Sequence, residues 1–283
     1  MATCMTCTDE IEKFVRAMGG YGNSAFTSEK LDGVRVMAMV FTQGEVMFFS
    51  RSGKELHNFD KFKKDIVELR RGCDAVRRNS HLIFDGEVTA KDTKFSSVMK
   101  QLRRLKDLDS DIFQYNIFDV QSTAKLTYRY VSLQEAFRRH SPEDIKLVQH
   151  TPVLIRNEED IQTLLKQAVD KGQEGVVLKN MSSVYEFKKS SHWLKLKPSL
   201  SLDLPVVGYK KGTGKYAKML GALTVLYKGK FVDVGTGYTD KERVDLLANL
   251  PDLIEVGFQQ ESSQGSLRHP RFLGVRDDKL EHD

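Results

Sequence analysis

After Lys197 the chain changes texture, and this constrains its fold more than any other feature. β-rich runs recur at about 204–210, 221–228, 231–236, 253–260 and 271–276, interrupted by one helical pattern near 239–250. Five short strands and one helix within about 80 residues suit a small closed barrel of the OB type, although other small barrels fit almost as well. Upstream the texture is mixed. Residues 34–41 and 45–50 flank a Gln43-Gly44 turn and predict a hairpin. Residues 60–71 read as a helix with Phe62, Ile66 and Leu69 on one face. Strands are expected at 81–88, 112–120, 174–179 and 193–197, and helices at about 95–106, 132–140 and 157–171, the last capped by Asn157 and stopped by Gly172. The expected fold is therefore α+β, with a first domain over 1–199 and a barrel over 200–283, hinged at Pro198-Ser199-Leu200-Ser201.

Composition excludes several classes. With 40% hydrophobic and 29% charged residues, the chain has material for a core and is neither disordered nor collagen-like. No apolar run is long enough to span a membrane, and the N-terminus lacks the pattern of an export signal, so a cytoplasmic protein is expected. The net charge of +5 permits an anionic partner without demanding one. Local charge is more telling: Lys179 to Lys218 holds nine lysines against two acids, and Lys91 to Lys106 six basic residues against one acid. Such stripes suit a duplex backbone. Lys210-Lys211-Gly212-Thr213-Gly214-Lys215 lacks the spacing of a P-loop and reads as a barrel loop. Three cysteines build no disulfide framework; Cys4 and Cys7 form a CxxC without a second pair, and are expected to be reduced surface thiols in a tail.

The chemistry-bearing residues come as an ordered series. Lys30-Leu31-Asp32-Gly33-Val34-Arg35 is followed by Ser50-Arg51-Ser52-Gly53, Phe84-Asp85-Gly86-Glu87 and Tyr115-Asn116-Ile117-Phe118-Asp119. Then come Glu174-Gly175-Val176-Val177-Leu178-Lys179, Trp193-Leu194-Lys195-Leu196-Lys197-Pro198 and Arg276-Asp277-Asp278-Lys279. A lysine attacks phosphorus only as the neutral amine, which neighbouring cations and partial burial favour. Arg35, Arg51, Lys195 and Lys197 would supply that field and offset charge in the transition state. Glu87 and Glu174 sit in or beside apolar β runs, where an unpaired carboxylate is costly. Lys195 and Lys197 alternate with leucines and would share one strand face. Asp119 reads as structural.

This series resembles the motif set of the covalent nucleotidyltransferases, the ATP-dependent DNA ligases, RNA ligases and capping enzymes. Within that group the KxDGxR, SRxG and WLKLKP segments look most like ATP-dependent DNA ligases of the small viral and bacterial type. The resemblance implies a nucleotidyltransferase domain followed by an OB domain, and sealing of nicked duplex DNA by a monomer that uses ATP and Mg²⁺. Lys30 would carry AMP. Catalysis would fall to Lys30, Lys195, Lys197, Arg276, Asp278 and Lys279. Nucleotide binding would fall to Glu29, Asp32, Gly33, Arg35, Arg51, Glu87, Phe118, Lys195 and Lys197. Glu174 and Glu87 would hold the metal, Phe118 would stack on adenine, and Arg35 and Arg51 would grip the 5′-phosphate. RNA ligation or capping by the same chemistry, and a non-catalytic nucleic-acid-binding protein, are the rivals; missing zinc-module cysteines and length speak against an NAD⁺ ligase.

Overall fold

The computed structural model describes residues 4–73, 80–91, 110–198, 200–258, 260–261 and 265–276. The helix expected at 95–106, and most of the basic run from Lys91 to Lys106, lie outside them. The chain divides into two compact units, Met1–Leu196 and Lys197–Asp283.

Two sheets with helices build the first unit. One sheet has the order Thr6–Thr8, Lys189–Leu196, Val176–Asn180, Asn23–Glu29, Thr151–Ile155. The helices Ile11–Ala17 and Glu158–Asp170 supply Phe14, Val15 and Ile161 to a core shared with Ala25, Ile155, Leu178 and Leu194. The second sheet runs Glu55–Leu56, Val46–Ser50, Val34–Phe41, His81–Ala90, Phe113–Val120, Ile145–Leu147. Its core takes Ile66 and Leu69 from helix Lys63–Gly72, and Leu133 and Ala136 from helix Leu126–Arg139.

Strand alternation decides which residues reach the site. Along Val34–Phe41, Val36, Ala38 and Val40 are fully buried in the core of the second sheet, so Arg35, Met37 and Met39 take the opposite face. That face meets the other sheet: Met37 and Phe118 cluster with Trp193, Tyr185, Met5 and Cys7. A bulge between Asp85 and Gly86 shifts the register against Phe113–Val120, a common device for re-aiming a side chain beside a site. Gly86 is obligatory there, because a Cβ would lie 2.6 Å from both the Asn116 carbonyl oxygen and the Tyr115 ring. Gly86→Ala should therefore destabilise the unit by about 1–3 kcal/mol, read as a lower midpoint in thermal unfolding by circular dichroism.

Several expectations need correction. Cys4 to Thr8 is no tail: Thr6–Thr8 pairs in parallel with Lys189–Leu196. The cysteines are not surface thiols, since Cys4 and Cys73 are buried and Cys7 half-buried. Helix Leu126–Arg139 begins six residues earlier than the expected 132, because Leu126, Tyr130 and Leu133 extend the buried stripe backwards around a buried arginine, Arg129. Strand Asn23–Glu29 escapes a pattern reading because its sequence, NSAFTSE, is mostly polar. Asn157 does cap its helix, accepting from the Asp160 N–H.

The second unit is a five-stranded sheet of order Lys230–Val234, Leu220–Tyr227, Leu200–Lys211, Leu253–Phe258, Arg271–Val275, with helix Asp240–Ala248. Thr239 starts that helix with a complete capping box. Its apolar centre holds Leu204, Leu223, Val225, Val234, Ile254 and Val256. Among the described residues a lone bridge, Thr236 to Arg271, relates the two edges. The sheet is open rather than the closed barrel expected, in keeping with an OB-like fold.

Candidate active site

Strand Asn23–Glu29 delivers Lys30 immediately past its end, where the backbone N–H donates to the Gly175 carbonyl (3.0 Å). That pairing continues the antiparallel register of Glu29 with Val176, and it places Glu174 against the lysine. Lys30 Nζ donates to Glu174 Oε2 at 2.5 Å, with both side chains mostly shielded. The following loop presses onto the second sheet, and Gly33 permits it. A Cβ there would lie 2.4 Å from the Val88 carbonyl oxygen and 2.8 Å from Glu87 Cγ. Residue type at position 33 thus controls how close Lys30's loop comes to Glu87.

Arg35 stands opposite Glu87 in the ladder. Its guanidinium is fixed before any ligand arrives: Nε and Nη2 donate to the two Asp85 oxygens (2.9 and 2.6 Å), and Nη2 also donates to the Met5 carbonyl (2.6 Å). Burial works against the cation, yet Asp85 raises its pKa well above the ordinary value. Asp85 is itself fully buried and accepts from the Tyr185 hydroxyl at 2.5 Å. Such a second layer holds a charged fork rigid. Asp85 and Tyr185 were not singled out as site residues. Asp85 lies within the Phe84-Asp85-Gly86-Glu87 motif, whereas the fold alone brings Tyr185 and the Met5 carbonyl to it.

Burial pushes Glu87 up to about 7, with Arg35 and Lys30 pulling it down and Asp85 and Glu174 adding to the rise. A carboxylate tuned to neutrality among named charges marks a functional cleft. Four cations, Arg35, Lys179, Lys195 and Lys30, act together on the half-buried Cys7 thiol, whose pKa burial raises against them. Of these, Arg35, Lys195 and Lys30 can meet a polyphosphate, whereas Lys179 is buried. Lys195 projects from strand Lys189–Leu196 and is exposed, whereas Lys197 lies past the strand's end, as the first residue of the second unit.

A cavity of about 410 Å³ flanks Lys30, lined by Glu29, Leu31, Asn116, Thr151, Gln173 and Val176 among others. Its size lies within the range of small-ligand pockets. Phe118 stands two residues beyond Asn116 on the same strand face, half-buried, with its ring edge-on to Trp193 at 6.0 Å and under Arg35 and Lys179 at 5.2 and 4.5 Å. Asp119 is structural: Arg129 donates to both its oxygens at 2.8 and 2.9 Å, and neither side chain is exposed. Arg51 is exposed in the turn after strand Val46–Ser50, and Asp32 is half-buried in the loop after Lys30.

Glu174 and Glu87 offer hard oxygen donors within reach of each other's charge. Among the described residues no group of three or more potential metal ligands occurs. Two carboxylates suit Mg²⁺, which keeps several waters and binds through one or two protein oxygens plus phosphate.

In the second unit, Arg276 lies 3.7 Å from Asp203 and 3.5 Å from Glu255; Asp278 and Lys279 fall outside the described residues. The lysine-rich stripe is partly neutralised by one acid within it and by three remote in sequence. Lys188 pairs with Glu186, Lys189 with Asp9, Lys210 with Asp233 and Lys215 with Asp240. No helix among the described residues is long and apolar enough to cross a membrane.

The DNA ligase 2 of Methanosarcina acetivorans is 30% identical over 322 residues, covering 95% of this chain and 54% of that protein. The DNA ligase of Thermococcus fumicolans is 29% identical, covering 91% and 53%. The chain thus spans about half the length of these curated relatives. The solved structure Pmar-Lig_PreS3 superposes with a TM-score of 0.81 at 29% identity, over 97% of this chain and 68% of its own. The ATP-dependent DNA ligase of bacteriophage T7, solved with ATP, shares the fold at a TM-score of 0.59 and 19% identity, over 97% and 99%. Residues 211–276 match the DNA ligase OB-like domain. With residues 3–197 matching the ATP dependent DNA ligase domain, the chain belongs to the ATP-dependent DNA ligase family.

Proposed function

We propose that the chain seals 5′-phosphate/3′-hydroxyl nicks in duplex DNA, as a monomer, with ATP as AMP donor. The observation that carries this reading is the position of Lys30: between Glu29 and Leu31, which line the cavity, paired with Glu174, and within a field shared by Arg35 and Lys195. Neutral Lys30 Nζ attacks the α-phosphorus of ATP; the bond to pyrophosphate breaks and the amine's proton departs. A 5′-phosphate oxygen of the nick then displaces the lysine, and the 3′-hydroxyl finally displaces AMP. Glu174 keeps the amine in place. Lys195 and Lys197 carry phosphate charge, and Glu87 binds the ribose. Arg35 keeps Nη1 for the nick phosphate after Asp85 has taken its other edge, with Arg51 as partner. Glu29, Asp32 and Gly33 shape the nucleotide pocket. Mg²⁺, held by Glu174 and Glu87, supplies charge neutralisation on the phosphates.

Matched nicked substrates of DNA and of RNA-containing strands, offered with ATP and with NAD⁺, test the reading. Sealing of DNA with ATP is expected; a protein that accepts GTP and forms caps but seals nothing would overturn it.

Arg276, Asp278 and Lys279 are assigned to orienting pyrophosphate during lysine charging only. Arg276→Ala is expected to slow lysyl-AMP formation by roughly 30- to 1000-fold, since one charge-assisted transition-state contact is worth ~2–4 kcal/mol. Sealing of a nick already carrying 5′-AMP should change far less. Single-turnover assays of both steps decide, and equal losses would make Arg276 a fixed part of the fold.

A further inference from the structure

Lys179 is a buried lysine that the chemistry above does not use directly. It is 2% exposed, in the strand Val176–Asn180. Its Nζ lies 4.3 Å from the Trp193 ring centre and 4.5 Å from that of Phe118. The same Nζ donates to the Phe118 backbone carbonyl at 3.2 Å. His150 Nε2 is 2.8 Å from that carbonyl oxygen. A carbonyl only accepts, so Nε2 carries the hydrogen and has no lone pair for Lys179, 3.3 Å away. No ion pair of Lys179 with a carboxylate is recorded among the described residues; its ammonium rests on one carbonyl and two aromatic faces. Burying a cation on such partners is costly, and a methionine would fill the space more cheaply.

We infer that Lys179 is a positioning residue for the nucleobase: its ammonium fixes Phe118 through both ring and backbone, on the strand whose Asn116 lines the cavity together with Glu29 and Leu31. The inference rests on the reading of Phe118 as the adenine platform. Geometry supports it from three sides. Arg35 covers the same Phe118 ring, Trp193 closes its edge, and His150 secures the carbonyl from another segment. Phe118 thus has little freedom while Lys179 is charged, and a preformed stacking surface binds a base without paying for its ordering.

The charge is conditional. Burial lowers the Lys179 pKa to about 8, while Asp119, Cys7 and Asp85 resist the fall and Arg35 adds to it. These, with His150, are the titratable and charged groups facing it. His150 is kept neutral by burial and by Lys179 itself, its pKa lying well below the ordinary value. The pin is therefore present below about pH 8 and lost above it. Affinity for ATP should therefore fall as the pH rises through that value.

The test uses the whole chain, labelled ATP and the emission of Trp193, the sole tryptophan. Lys179→Met keeps the length and removes the charge; Lys179→Arg keeps the charge. Lys179→Met should raise the ATP concentration for half-maximal charging of Lys30 by roughly tenfold, the scale of a desolvated cation–π contact, with the saturating rate changed less than about threefold. Lys179→Arg should recover most of that loss. Wild-type Trp193 emission should titrate near pH 8, and Lys179→Met should abolish the step. An unchanged half-maximal ATP concentration, a loss confined to the saturating rate, or an emission step that survives in Lys179→Met would each overturn the inference. Should Lys179→Met fail to fold, the wild-type protein decides: half-maximal ATP and Trp193 emission must shift together between pH 7 and 9, and separate midpoints sink the idea. Absence of any AMP adduct in the wild-type protein would count against the ligase reading, whereas a normal adduct with unaltered ATP dependence in Lys179→Met counts against this inference alone.

Discussion

In a Lys30→Ala protein, incubation with labelled ATP should leave no AMP on the chain and no sealing of ordinary nicks. The amine is the single proposed attachment point, and alanine leaves no nucleophile in its place. DNA binding should persist, because it is spread over many phosphate contacts. Lys30→Arg should fail as completely, since a guanidinium stays protonated and cannot attack. Sealing of a nick already carrying 5′-AMP should survive better than sealing from ATP, because the lysine forms no bond in that last step. Denaturing electrophoresis of the labelled protein, beside a sealing assay on both substrates, separates these outcomes. A surviving adduct in Lys30→Ala would remove Lys30 from its role.

Arg129→Leu should produce the largest loss of stability. Arg129 and Asp119 are both fully buried, and the guanidinium also donates to the carbonyls of Ala124 (2.6 Å) and Ser183 (2.9 Å). Removing it strands a buried carboxylate and two carbonyls together. Breaking a buried pair by losing one partner typically costs about 3–5 kcal/mol. For a unit of this size that corresponds to a fall of roughly 6–20 °C in the unfolding midpoint. Asp119→Asn with Arg129→Leu should lose less than Arg129→Leu alone, because no unpaired anion then remains. Calorimetry on the three variants checks both points; a double variant less stable than the single would show that Arg129 works mainly through its carbonyl contacts.

The motifs disclosed which residue types carry the chemistry, because each keeps its key residues nearly consecutive, Lys30, Gly33 and Arg35 in one and Lys195 and Lys197 in another. They could not disclose allegiance. Asp85 lies two residues from Glu87 in one motif, yet one carboxylate is committed to Arg35 and Tyr185 while the other is poised near neutrality. Only the ladder separates them. Local charge misled for the same reason: Lys189 and Lys210 belong to a basic stretch, but Asp9 and Asp233 reach them from elsewhere. Surface pairs of this kind are weak enough to yield to phosphate. The strand leading to Lys30 was illegible because its neighbours, rather than its own composition, make it a strand.

The parallel pairing of Thr6–Thr8 with Lys189–Leu196 has a consequence for synthesis. Thr6–Thr8 must wait for a segment made some 180 residues later before these hydrogen bonds can form, a long closure that slows folding. Until then the Met5 carbonyl has no fixed position from which to hold Arg35, and Lys30 has no Glu174 beside it. Lys30 and Arg35 therefore gain these partners only once the later strands of the first unit are made.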